Sequence, residues 1–439
     1  MQRRRSGIGS TAAAWALLLA AAPPATASTL REDVARDYSA NLQPLFLHFH
    51  QNPELSFKEG RTAQRMAQEL KKLGLKVTPN VGGTGVVAVL ENGPGPVVLI
   101  RADMDALPVE ERSGLPYASK ARQVDVEGVE RPVMHACGHD SHITALVGTA
   151  RQLGARKNQW RGTVVFIAQP AEERIGGAKA MLADGLYTRF PKPDYALAFH
   201  VNAQDEAGKI SVRDSIAYSS SDSVDITVRG VGAHGASPHR GVDPVLIASQ
   251  IVVSLQSLVA RSIDPLQPGV VTVGAIHGGS KHNIIGEEVE LQLTVRADTP
   301  EVRRQLLAGI ERIAQNTARS LGAPEDKLPI VRPHGESTPP TANDGETARR
   351  LRAAFVRELG AEAMSKKARE GMGAEDFAYL VEPQYGVKGV YFNIGGTPKE
   401  ELAAAASHHS PLFKITPGPV ITTGVEAMTI AALELLAKS

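Results

Sequence analysis

Three apolar runs, each leading into side chains that bind metals or move protons, constrain what this chain can fold into. Residues 96–102 (PVVLIRA) lead into Asp103 and Asp105, residues 162–168 (GTVVFIA) into Glu172 and Glu173, and residues 195–199 (YALAF) close on His200. Short, unbroken apolar runs are what strands need when helices cover a sheet on both faces. In open α/β sheets the ligands gather in the crevice outside the carboxyl ends of the strands. The sequence therefore predicts an α/β fold, a central sheet flanked by helices, with Asp, Glu and His brought to one end of it.

The stretch 133–142 (VMHACGHDSH) adds three histidines, an aspartate and the only cysteine of the chain. Cys137 and His139 are two residues apart, a spacing that suits a turn or strand end, where alternate side chains point the same way. The apolar run 143–150 reads as a helix, which places these residues at its N-terminal end. A thiolate, an imidazole and carboxylates grouped there suit a borderline-soft divalent metal; the plain alternative is a buried free thiol beside surface histidines. Glu172 and Glu173 are adjacent at a strand end and point in different directions, so that one can bind a cation while the other acts as a base on water.

At 439 residues the chain is long for one core. Residues 1–27 have a basic start, an apolar stretch too short to span a bilayer and a small-residue end, the three parts of a secretory signal. An exported protein with one cysteine forms no internal disulfide, and a free thiol there is a liability unless something such as a metal ion occupies it. The formal net charge is +1, and slightly negative once Arg3, Arg4 and Arg5 are removed, which is no electrostatic footprint for nucleic acid or an anionic membrane. No stretch after the signal is expected to reach transmembrane length. Residues 215–333 change rhythm to strand, helix, strand, strand, helix, strand, the order of a ferredoxin-like unit. The expected organisation is a catalytic domain from 28–214 and 334–439 with that unit inserted. Its loops carry His234, His239, His282 and Asn283.

Assembled in order, RADMDALP from Arg101, HACGHD from His135, QPAEE from Gln169, GAH from Gly232, NII from Asn283, GAEDF from Gly373 and HSPLF from His409 resemble one family. It is the co-catalytic metallopeptidase family of aminoacylases, hippurate hydrolases, auxin-conjugate amidohydrolases and related carboxypeptidases. The resemblance runs from about His48 to the C-terminus. It implies a zinc-exopeptidase-like α/β catalytic domain with a mixed sheet, and an inserted ferredoxin-like domain for dimerisation and lid closure. It implies two divalent metal ions, zinc by default with manganese, cobalt or nickel as alternatives. Cys137 resembles the ligand bridging them, with His139, Glu173, His200 and His409 completing the shells. Glu172 resembles the general base, His234 and Asn283 resemble oxyanion donors, with His234 reaching the partner subunit of a homodimer, and Asp105 resembles a residue that orients a ligand histidine. The chain departs from the pattern at His408, which stands where relatives usually have Leu and competes with His409. The function implied is hydrolysis of the amide of N-acyl amino acids or small peptides, with a dipeptidase or carboxypeptidase as the near alternative. A Cys137 thiol hydrolase and a non-catalytic small-molecule binding protein are the rivals from other classes.

Overall fold

A computed structural model of the chain describes residue 2 and residues 28–437. The secretory signal read at residues 1–27 lies outside the described residues.

Seven strands form the large sheet. In spatial order they are Lys76–Val81, Gly85–Asn92, Gly162–Gln169, Val97–Asp103, Tyr195–Glu206, Lys388–Thr397 and Ile210–Val212. The four from Gly162–Gln169 to Lys388–Thr397 run parallel, and antiparallel strands close both edges, so the sheet is mixed. Its helices explain the apolar runs, because each central strand is buried on both faces. On one side His139–Ala155 and Pro417–Leu435 pack on each other and on the sheet through Leu146, Ala150, Val425 and Met428. On the other side Gly177–Ala183 packs through Ala178 and Met181. The sequence ends the third run at His200, but that strand continues to Glu206. What stops there is its pairing with Val97–Asp103, which reaches only Ala198. The crevice opens beside His200, where these two strands no longer pair.

The inserted unit has its own core. Strands Ser221–Arg229, Gly269–Gly278, Glu288–Ala297 and Ile330–Thr338 form a four-stranded antiparallel sheet, with Glu288–Ala297 and Ser221–Arg229 in the middle. Helices Pro244–Ser257 and Pro300–Ser320 cover one face through Ile247, Ile251, Leu255, Leu306 and Ile310. The strands of this sheet lie between residues 221 and 338. A separate ladder of Ile216–Tyr218 with Thr341–Ala342 marks where the chain crosses in and out.

One sequence expectation is corrected here. Pro244–Ser262 is long and apolar enough to cross a membrane by length and composition. It reads that way because both its faces are apolar: Ile247, Ile251, Leu255 and Leu258 pack on the inserted sheet, whereas Val245, Leu246 and Val253 are exposed.

The N-terminal helical segment is tied to the site by an ion-pair chain. His50, in helix Gln43–Gln51, contacts Asp140 Oδ2 through Nδ1 at 2.7 Å and Glu111 Oε1 through Nε2 at 3.2 Å. Burial alone would depress this imidazole, but the Asp140 and Glu111 bonds hold it up at about 10, against an ordinary value of 6.5. A raised folded value means that the stabilisation is complete below about pH 6.5 and is lost as pH climbs to 10. Thermal melts of wild type should therefore fall over that window, and His50→Gln should flatten the slope. An equal slope in both proteins would contradict the assignment.

Candidate metal centre and active site

The turn before helix His139–Ala155 places Cys137 and His139 at the mouth of the crevice. Gly138 makes this possible: its φ is 86°, and a Cβ would overlap a methyl of Val201. The turn after strand Gly162–Gln169 is strained in the same way. Ala171 and Ile175 on either side of the Glu172–Glu173 pair have φ of 48° and 52°, and a Cβ on Gly177 would overlap the Pro170 carbonyl oxygen. His409 also has a positive φ, 66°. Non-glycine residues in this region cost about 1–3 kcal/mol each and persist where the surroundings force them, characteristically at working sites.

Hydrogen bonds fix which nitrogen each imidazole turns inward. His139 Nδ1 lies 2.9 Å from the Asp105 main-chain carbonyl, so it donates there and Nε2 faces the crevice. His200 Nδ1 donates to the Val201 carbonyl at 2.6 Å, leaving Nε2 at 3.4 Å from Cys137 Sγ. His409 Nε2 lies 3.4 Å from Glu173 Oε2. His408 behaves differently. Its Nε2 accepts the Ala203 N–H at 3.2 Å, so Nδ1 carries the proton and faces Cys137 Sγ at 3.7 Å. His408 therefore presents a donor to the sulfur, whereas His409 turns Nε2 toward the Glu173 carboxylate.

Donor atoms within 4.8 Å of one another form two triads that share one residue: Cys137 with His139 and His200, and Cys137 with Glu173 and His409. His139 Nε2 and Glu173 Oε1 are buried with no hydrogen-bond partner. Such atoms are costly to leave unpaired, and a cation satisfies both. Against the effect of burial, Asp103 and Asp105 hold His139 up at about 10, so this corner favours positive charge, whether a proton or a metal ion. The residues present fit a pair of divalent ions. Of the three other groupings, His139 with Glu172 and Glu173 adjoins these triads, and the two built on Asp103 and on Glu375 fit less well because their atoms are already used. Asp103 takes His142 Nδ1 at 2.6 Å, and Arg101 takes Asp103 at 2.6 Å, Glu375 at 2.7 Å and Asp376 at 3.1 Å.

Burial, then repulsion from Glu375 and Glu173, pushes Glu172 well above the usual carboxylate range. Its position is pinned by Asp105, whose carboxylate accepts the Glu172 N–H at 3.1 Å and the Glu173 N–H at 3.0 Å. Asp105 thus orients His139 mainly through its carbonyl and uses its carboxylate to aim the glutamate pair. Burial, then Glu173 and Glu172, push the Cys137 thiol well up. A nucleophilic cysteine needs the opposite shift, which counts against the thiol-hydrolase reading.

His234 and Asn283 stand apart from these groups. Both are exposed and lie together in the inserted unit, where His234 pairs with Ile284 and the Gly235 N–H donates to the Asn283 carbonyl at 2.8 Å. Neither lines this chain's own cavity, which has a volume of about 670 Å³ and contains Cys137, Glu172, Glu173, His200 and His409. His234 Nδ1 accepts the Ala236 N–H at 3.0 Å, so Nε2 carries the proton and points outward as a donor. Sequence reasoning missed the opposite wall of the cavity: Tyr218, Asn393, Arg213, Arg296, Lys367 and Arg369 come from separate elements and share no local motif.

Known proteins resemble this chain along most of its length. A profile of the Peptidase family M20/M25/M40 matches residues 99–432. A hippurate hydrolase of Campylobacter jejuni is 36% identical over 352 residues, covering 79% of this chain and 86% of that protein. Thermostable carboxypeptidase 2 of Saccharolobus solfataricus is 35% identical over 395 residues, covering 88% and 93%. The crystal structure of a dinuclear metal binding peptidase from Bacillus subtilis superposes with a TM-score of 0.74 at 27% identity, covering 91% of this chain and 99% of that one.

Proposed function

The chain belongs to Peptidase family M20/M25/M40, whose members hydrolyse amide or peptide bonds, and we propose that it cleaves the amide of N-acyl amino acids or small peptides with two bound divalent ions. The observation that carries the reading is the shared thiol: Cys137 belongs to both donor triads, and Glu172, a further carboxylate of the same cavity, lies beside them. Cys137, His139, Glu173, His200 and His409 would hold the ions. Zinc suits this mixture of sulfur, nitrogen and oxygen donors, as do manganese, cobalt and nickel. Bound there, the ions would polarise the scissile carbonyl and lower the pKa of water.

The chain's own groups supply the remaining chemistry. Glu172 takes a proton from the attacking water and returns it to the leaving amine. Its place in the cavity beside the donor triads is where such a base is needed. Asp105 holds the main chain of the glutamate pair still through the step. His234 Nε2–H and Asn283 are placed to stabilise an oxyanion from a partner subunit. A second copy is supported by the exposed Val245, Leu246 and Val253 and by the edge strand Gly269–Gly278, which carries the exposed Ile276. An unpaired edge of this length invites another strand. The leader at residues 1–27 supports export.

Amine release from N-acetyl, N-benzoyl and indoleacetyl amino acids, set against dipeptides with metal supplied, tests the reading. Turnover of at least one class is expected, and no turnover of any class would contradict it. Alkylation of Cys137 gives a separate result. Iodoacetamide should label the chelator-treated protein at least tenfold faster than the loaded one, because bound metal occupies the sulfur. Equal rates would remove Cys137 from the ligand set.

A further inference from the structure

The cavity extends well beyond the donor triads. Its floor crosses three strands in register, with His200 opposite Asn393 and Asn393 opposite Ser211. Paired residues share a face, so Ser211 lies two strand spacings, roughly 10 Å, from His200. Arg213 follows two residues later, points to the same side and lines the cavity. The acids around it are already engaged: Asp298 holds Arg369 at 2.9 Å, Glu370 holds Lys367 at 2.9 Å, and Asp205 accepts the Ser365 hydroxyl at 2.6 Å. Arg213 itself is half-buried, and its guanidinium has no hydrogen-bond or ion-pair partner among the described residues. Burial, then the like charge of Arg369, lowers its pKa. A half-buried guanidinium that lines a cavity with no acid paired to it lacks an anion, and a carboxylate is the group its planar fork fits best.

We propose that Arg213 binds a second carboxylate of the substrate, so that the preferred substrates are N-acyl amino acids carrying an acidic group besides the α-carboxylate. This rests on the amide-hydrolase reading and names its substrate class. The extra carboxylate sits either on the amino-acid side chain or at the far end of the acyl group, and the same guanidinium chemistry serves both.

Two matched pairs separate these sources in the metal-loaded enzyme: N-acetylglutamate against N-acetylglutamine, and N-glutarylmethionine against N-pentanoylmethionine. In one pair the acidic member should have a kcat/KM about 10- to 100-fold higher, expressed mainly in KM, the range of one charge-assisted hydrogen bond. Arg213→Ala should bring that ratio to about one, and Arg213→Lys should keep part of it. Ratios near one in both wild-type pairs, or a ratio unchanged in Arg213→Ala, would overturn the proposal. A binding measurement decides the matter independently of turnover. Glutarate should raise the melting temperature of wild type and not of Arg213→Ala, and no shift in wild type would also overturn it. If none of the four amides is cleaved, the hydrolase reading fails while glutarate still tests the subsite.

Discussion

Glu172→Gln should retain two metal ions per chain and lose activity by a factor of about 10² to 10⁴, the span expected when a general acid-base is removed. The substitution keeps the shape of the side chain and removes its ability to hold a proton. The five donors are untouched, and the Glu172 N–H still reaches Asp105. Glu173→Gln should behave in the opposite sense and lose metal, because Glu173 Oε1 is the buried oxygen without a partner and its other oxygen faces His409. Metal content measured alongside kcat separates the two. A Glu172→Gln protein with an empty site, or one with near-normal turnover, would exchange the roles of the pair or remove both.

The second large effect concerns assembly. His234→Ala and Glu172→Gln chains should each be nearly inactive as homodimers, and mixing them should restore activity. If His234 serves the partner's cavity, each mixed dimer has one site with both wild-type groups and one with neither. Free exchange makes half the dimers mixed, so roughly a quarter of wild-type activity should return. The motivating observation is that His234 and Asn283 are exposed together, with the His234 Nε2–H pointing outward, while their own chain's cavity contains neither. Exchange demonstrated by mass with no return of activity would show that His234 does not act in trans, as would a fully active monomer.

Much of this site was legible in the sequence because its chemistry is local. Cys137 and His139 lie in one turn, Glu172 and Glu173 in another, and the apolar runs before them admit little but buried strands. Spacing before the Ser-Pro-x-Phe motif favours His409 over His408, but it shows no reason for the choice. That choice turns on which nitrogen the Ala203 N–H meets, a contact made across more than two hundred residues. Strand Lys76–Val81 went unread because it is a half-exposed edge with Pro79 inside it, and Ile210–Val212 because three residues carry no periodicity. Pro244–Ser262 was read as a helix, but not as one apolar on both faces, with one side on its own sheet and the other left bare. The His50 chain and the Arg213 wall were invisible for a common reason, since each joins charged residues from distant segments whose local surroundings look like ordinary surface.

The proposed hydrolysis needs two cations held by Cys137 and its neighbours, with Glu172 as base. Its most direct test is titration of a divalent metal into chelator-treated protein while amine release from an N-acyl amino acid is followed. The account predicts negligible activity at the start and a rise that levels off at two equivalents per chain. Full activity in the chelated protein, or saturation at a single equivalent with Cys137→Ala as active as wild type, would contradict it.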